Sequence, residues 1–148
     1  MLAADCVPLL FIDPKKRILG VAHAGWRGTL DGTAMHTVDA MKSLGSLPSD
    51  IVVSMGPHIG KCSYVVPEDR AMHFHEAFSE DTQVTLFDGN AWFVDLGLAN
   101  CLMLMRSGIL PDHIEHSAPC TYCSPDYFSY RKDSKETFGE MLGVITWK

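Results

Sequence analysis

Long apolar runs are missing from these 148 residues. None approaches the ~20 consecutive residues that a membrane-spanning helix needs, so the chain reads as soluble, with no membrane partner. A basic leader is missing too: the first ten residues, MLAADCVPLL, contain no lysine or arginine and do not read as a secretory signal. Positive charge is scarce, 12 Lys and Arg against 18 Asp and Glu, and the net charge of −6 disfavours a nucleic-acid or anionic-lipid partner. The five cysteines are odd in number and irregular in spacing, which argues against a disulfide framework and suits a reducing, cytoplasmic setting. No internal repeat, low-complexity run or linker divides the chain. One domain over residues 1–148 is expected, long enough to bury a sizeable core.

What is present is concentrated near the start, in ADCVPLLFIDPKKRILGVAHAGWRG (Ala4 to Gly28). Val7 to Ile12 and Ile18 to Ala22 are short, aliphatic and separated by Asp-Pro-Lys-Lys, the pattern of two buried strands joined by a tight turn. Paired as a hairpin, they bring Cys6 and His23 to one end of a sheet. Such a pair can be half of a zinc site or a nucleophile beside its base, and spacing leaves both open.

Beyond the hairpin, Thr29 to Leu44 has helical spacing and ends at Gly45 as a C-terminal cap. Its N-terminus would face the Cys6–His23 end and, with Arg27, offer an anion site. Asp50 to Met55 reads as a strand, and Gly56 to Tyr64 as a functional loop. A helix starts at Pro67, Thr82 to Phe87 is a strand, and Asp88-Gly89 is a turn. Asp95 caps a helix that ends at Gly108. Ile114 to Ser117 and Leu142 to Trp147 read as strands around an irregular segment, Cys120 to Arg131. Strands and helices intermix without strict βαβ alternation. The fold class is therefore α+β, a single domain with a mixed sheet flanked by helices, burying Leu30, Val38, Leu96 and Leu102.

Several residues carry two readings. Arg27 either stacks on Trp26 at the surface or holds a phosphate or nucleoside. Asp5 caps a turn, orients His23 or handles a proton. Cys120 and Cys123 have CxxC spacing, but a structural zinc needs further ligands, and Cys62 and Cys101 stand isolated in sequence. His73 and His75 point to different helix faces and read as surface residues. His58, in the Gly-Pro loop, is a secondary site candidate.

Five segments together resemble a known family: Asp5-Cys6-Val7-Pro8 followed by His23-Ala24-Gly25-Trp26-Arg27-Gly28; Gly56-Pro57-His58-Ile59-Gly60-Lys61-Cys62-Ser63-Tyr64; Asp95-Leu96 with Asn100; Cys120-Thr121; and Phe128-Ser129-Tyr130-Arg131. The pattern is similar to the YfiH-like family, also called laccase-domain or polyphenol oxidase proteins. The resemblance implies a zinc-dependent purine nucleoside phosphorylase that converts adenosine, inosine, guanosine or methylthioadenosine to base and ribose 1-phosphate, with adenosine deaminase as a companion activity. It implies catalytic roles for Asp5, Cys6, His23 and Arg27, substrate contacts from Arg27, Tyr130 and Arg131, and zinc on Cys6 and His23. Family members complete that site with a histidine in an upstream Gln-Val-His, absent from these residues. The chain thus reads as a C-terminal portion or a shortened product. The third ligand would come from that histidine, from a neighbouring chain of a homo-oligomer, or from His58. The family's Thr-Gly-Arg near the C-terminus is Phe138-Gly139-Glu140 here.

Two alternatives stand beside this reading: a metal-free cysteine hydrolase or deamidase using Cys6 and His23, and an inactive truncated binding subunit. Copper-dependent phenol oxidation fits poorly, because the seven histidines are scattered rather than paired.

Overall fold

The computed structural model describes residues 1–116, 119–133 and 136–148. In chain order the strands and helices begin with β1 (Leu2–Ala3), β2 (Val7–Asp13), β3 (Ile18–Ala24), α1 (Trp26–Leu30), α2 (Thr33–Ser43) and β4 (Val52–Met55). They continue with β5 (Val65–Val66), α3 (Glu68–Ala77), β6 (Thr85–Phe87), β7 (Trp92–Val94), α4 (Leu96–Arg106), β8 (Ile114–Glu115) and β9 (Met141–Leu142).

β2 and β3 form the expected hairpin, antiparallel from Val7 opposite Ala24 to Asp13 opposite Ile18. Asp13 closes the turn by accepting the Lys15 and Lys16 N–H groups at 2.9 and 3.0 Å, as an Asx turn does. β2 also pairs antiparallel with β4, and β4 pairs parallel with β8. The sheet is therefore mixed, in the order β3-β2-β4-β8, with β2 inside it. Val7, Leu9 and Phe11 are fully buried, two residues apart on β2, as the strand period requires. α2 packs on β3 and on α4. A second, antiparallel sheet, β5-β7-β6, lies against α3, and β1 pairs with β9. The fold is thus the α+β class with mixed sheets flanked by helices that the sequence predicts, with four α-helices among the described residues. Among the described residues no helix is long and apolar enough to cross a membrane.

Capping chemistry placed several boundaries. Asp95 accepts the Leu98 N–H at 2.9 Å at the start of α4. Gly45, at φ +104°, ends α2 with its N–H on Lys42 O and the Ser46 N–H on Met41 O, a Schellman closure.

Four expectations need correction. The helix drawn from Thr29 to Leu44 is two helices, broken at Asp31-Gly32, where Gly32 takes φ +76°. Thr29 is buried and accepts from Asn100 Nδ2 at 2.9 Å, so the first turn is fastened to α4. The helix that starts within the Trp-Arg-Gly motif is consequently only five residues long. The strand expected over 142–147 is only Met141–Leu142, because β1 offers two partner residues and no more. The strand at Thr82 to Phe87 shortens to β6, and its hairpin partner β7 was not anticipated. Val38 and Leu96 are buried as expected, whereas Leu30 and Leu102 are only partly so. Ser117, the end of one expected strand, lies outside the described residues.

Candidate functional site

A cleft of about 510 Å³ opens where the hairpin ends. Asp5, Cys6, His23, Arg27, Tyr130 and Arg131, the six residues singled out by sequence, all line it. The hairpin explains half of this convergence. Pro8 faces His23 across the strands and Val7 faces Ala24, and just beyond that last pair Cys6 lies against Gly25. A Cβ on Gly25 would stand 2.9 Å from Cys6 Sγ, so the glycine is what lets the chain pass the sulfur.

His23 Nδ1 lies 2.9 Å from the Leu2 carbonyl oxygen. A carbonyl only accepts, so the proton is assigned to Nδ1 and Nε2 is left as the free lone pair, the arrangement usual for a metal-binding imidazole. The Cys6 thiol is held above its ordinary value by burial, helped by the negative charge of Asp5. The pair offers one sulfur and one nitrogen, the donor types that zinc accepts. Either role, metal ligand or nucleophile, uses the thiolate, whose formation that burial opposes.

Asp5 does not orient His23. Its carboxylate accepts the Thr121 hydroxyl at 2.6 Å and the Arg131 backbone N–H at 2.8 Å, and its own carbonyl accepts the Ile59 N–H at 2.9 Å. It is 6% exposed and sits at φ +79°, a left-handed conformation that Asp tolerates better than most residues. One residue thus ties the start of β2 to two distant loops. His58 is no substitute ligand for the Cys6–His23 site. It is buried, its Nδ1 lies 2.8 Å from Gly56 O, its ring stacks on His116, and it does not line the cleft. His73 and His75 are exposed on α3, as expected.

Sequence reasoning missed Arg70, because on a helix it reads as one more solvated charge. In the fold its guanidinium lies 4.1 Å from the Trp26 ring centroid, while Arg27 lies 4.4 Å from the same ring. Arg70 Nε is buried without a hydrogen-bond partner among the described residues. Arg131 lies over Tyr64 at 5.0 Å and donates to Val65 O at 3.0 Å. Three guanidinium groups thus face one cleft of an acidic protein, opposed at the rim by Glu140. Such a concentration of forked donors suits an anion with several oxygens. Tyr130 is 67% exposed and meets Phe138 edge-to-face at 5.6 Å, which gives the cleft an aromatic wall.

Cys62, which looked isolated in sequence, is brought to the CxxC segment. The sulfurs of Cys62, Cys120 and Cys123 all lie within 4.8 Å of one another, a cluster that could bind a metal. The cause is a parallel bridge between His58 and Cys120, with Thr121 N–H donating to His58 O at 3.0 Å.

The cysteines differ sharply in ionisation. Burial raises Cys101 to about 11. Burial also opposes ionisation of Cys120, but N–H donors from Gly60 and Cys123, the Cys123 thiol and the Ser63 hydroxyl outweigh it and bring Cys120 down to about 7. In reduced, metal-free protein, alkylation of Cys120 should rise through pH 7 and then level off, whereas Cys101 stays protonated and unmodified at pH 8. Mass mapping of adducts between pH 6 and 9 reads this directly; equal labelling of the two at pH 8 would contradict it.

Purine nucleoside phosphorylase LACC1 of Homo sapiens is 42% identical to this chain over an alignment of 153 positions that covers 99% of the chain and 35% of that protein. The crystal structure of YlmD from Geobacillus stearothermophilus superposes with a TM-score of 0.86 at 36% identity, covering 94% of this chain and 53% of that one. The Bacillus licheniformis hypothetical protein YfiH gives 0.82 at 35%, covering 88% and 51%. YlmD of Geobacillus stearothermophilus is also named a purine nucleoside phosphorylase, and it matches over 53% of its length. The chain therefore spans about a third to three fifths of the length of the relatives it matches. Residues 1–148 match the family described as multi-copper polyphenol oxidoreductase laccase. With its fold, its sequence and the order of its motifs in agreement, the chain belongs to this laccase-like, YfiH-containing family.

Proposed function

We propose that the cleft binds a purine nucleoside together with inorganic phosphate and cleaves the glycosidic bond by phosphorolysis. The observation that carries this reading is the convergence of Arg27, Arg70 and Arg131 with an aromatic wall and the Cys6–His23 pair in one cleft. The names of the relatives support it.

The chemistry assigns roles in a definite way. A phosphate oxygen forms the new bond to C1′ of the ribose while the bond from C1′ to the purine nitrogen breaks. The electron pair leaves with the purine, which takes up a proton from water. Positive charge grows on the ribose carbon, so a phosphate held against it both attacks and stabilises that charge. Arg27 and Arg70, both stacked on the Trp26 indole, hold the phosphate. Tyr130 and Phe138 offer the purine a stacking surface, worth on the order of 0.5–1.5 kcal/mol beyond area burial. Adenosine, inosine, guanosine and methylthioadenosine share the bond that breaks and are the substrates proposed.

Zinc on Cys6 Sγ and His23 Nε2 would supply Lewis acidity and a water of lowered pKa, the chemistry that a companion adenosine deamination needs. A third ligand comes from a further segment or from a second copy of the chain. The five free cysteines suit a cytoplasmic setting.

The test is base release from inosine with and without phosphate. Hypoxanthine and ribose 1-phosphate formed only when phosphate is present is the expected result. Release of free ribose at an equal rate in phosphate-free buffer would overturn the proposal. Gly25→Ala should reduce the phosphate-dependent rate about 10-fold, since the new Cβ displaces Cys6 Sγ and small misplacements at a site are costly. An unchanged rate in folded protein would detach Cys6 from the chemistry.

A further inference from the structure

We infer that Cys62, Cys120 and Cys123 form a second metal site, one that takes a thiophilic d10 cation, zinc(II) or copper(I), and staples the loop after β4 to the Cys120–Ser124 turn. It is separate from the Cys6–His23 pair and does not depend on the reading of the cleft.

Geometry carries the inference. With metal–sulfur bonds of about 2.3 Å, two vertices of a tetrahedron lie about 3.8 Å apart. Cys62 Sγ and Cys123 Sγ are 3.7 Å apart. Ser63 Oγ lies 3.2 Å from Cys123 Sγ, 3.5 Å from Cys62 Sγ and 3.8 Å from Cys120 Sγ, so an oxygen occupies the direction of the fourth vertex. The loops are shaped for close approach: a Cβ on Gly60 would stand 3.2 Å from Cys120 Cβ and 3.3 Å from Cys62 Sγ. The Gly60 N–H donates to Cys120 Sγ at 3.2 Å, a bond that favours the thiolate a metal requires. Cys62 and Cys123 are exposed and Cys120 half-buried, which leaves an entry path from solvent.

Charge points the same way. Three thiols so close cannot all ionise unaided, and a bound cation removes that repulsion. Soft thiolates prefer zinc(II) or copper(I) to magnesium, calcium or manganese. The staple bears on the cleft, because Thr121, between the two turn cysteines, is the residue whose hydroxyl holds Asp5.

The experiment titrates reduced, metal-free protein anaerobically with cobalt(II) and zinc(II), and in a separate arm with copper(I) against a competing chelator. Wild type, Cys123→Ser, Cys62→Ser and Cys6→Ala are compared, with thermal unfolding as a fold control. The expected result is one ion bound with a strong thiolate-to-cobalt charge-transfer band that persists in Cys6→Ala. Affinity should fall at least ~100-fold in Cys123→Ser and Cys62→Ser, beyond the ~10–100-fold typical of outer-shell changes. The zinc and copper(I) arms decide which cation binds more tightly. Metal binding that survives in both serine variants but disappears in Cys6→Ala would overturn the inference. So would a reduced protein that binds neither ion and closes only to a disulfide on oxidation.

Discussion

Replacing both Arg27 and Arg70 by alanine is expected to weaken phosphate-dependent cleavage of inosine about 100-fold, mostly in KM for phosphate. Each guanidinium contributes roughly one charge-assisted hydrogen bond, on the order of 1.5 kcal/mol or about 10-fold. Both groups stack on Trp26, at 4.4 and 4.1 Å, so comparing the single variants with the double one reads any departure from that additive value. Arg70 is the more informative single change, since its buried Nε has no partner among the described residues and gains one when an anion arrives. Arg27→Lys should recover only part of the loss, because an ammonium keeps the charge without the fork. Steady-state kinetics over a phosphate series measure all four proteins. A double variant that folds and keeps the wild-type KM for phosphate would remove both arginines from the site.

Asp5→Ala should cost about 3 kcal/mol of stability. The carboxylate is buried and accepts two hydrogen bonds, from Thr121 and from the Arg131 backbone. Hydrogen bonds to charged groups are worth about 1.5–3 kcal/mol each, and alanine leaves both donors without a partner. The position also sits at φ +79°, where alanine is less comfortable than aspartate. For a domain of this size the loss corresponds to a fall in Tm of roughly 6–12 °C. Asp5→Asn keeps the backbone preference and one acceptor oxygen, and should recover about half of the fall. Thermal unfolding of the three proteins reads the effect; a drop of less than ~2 °C for Asp5→Ala would show that the tie is dispensable. Because Asp5 fastens Thr121 and Arg131, the same variant should loosen the cleft wall.

By itself the sequence determined whatever depends on near neighbours. The β2–β3 hairpin was legible because its strands are four residues apart and their apolar period is local. Asp95 and Gly45 marked helix ends for the same reason: a cap bonds within its own turn. The convergence of Asp5, Cys6, His23 and Arg27 in the cleft follows from that hairpin, whose register carries the two ends of the motif to one edge.

Only the tertiary structure decided the rest. Arg70 gives no signal of its own on an amphipathic helix, and packing α3 against α1 is what sets it over Trp26. The break at Gly32 depends on Thr29 meeting Asn100, 71 residues away. Cys62 and Cys123 are 61 residues apart and meet because His58 bridges Cys120 across two irregular loops. No periodicity encodes such a contact, since loops follow neither the helical nor the strand repeat. Their meeting is set by the order β3-β2-β4-β8, which brings the ends of β4 and β8 side by side and with them the loops that follow.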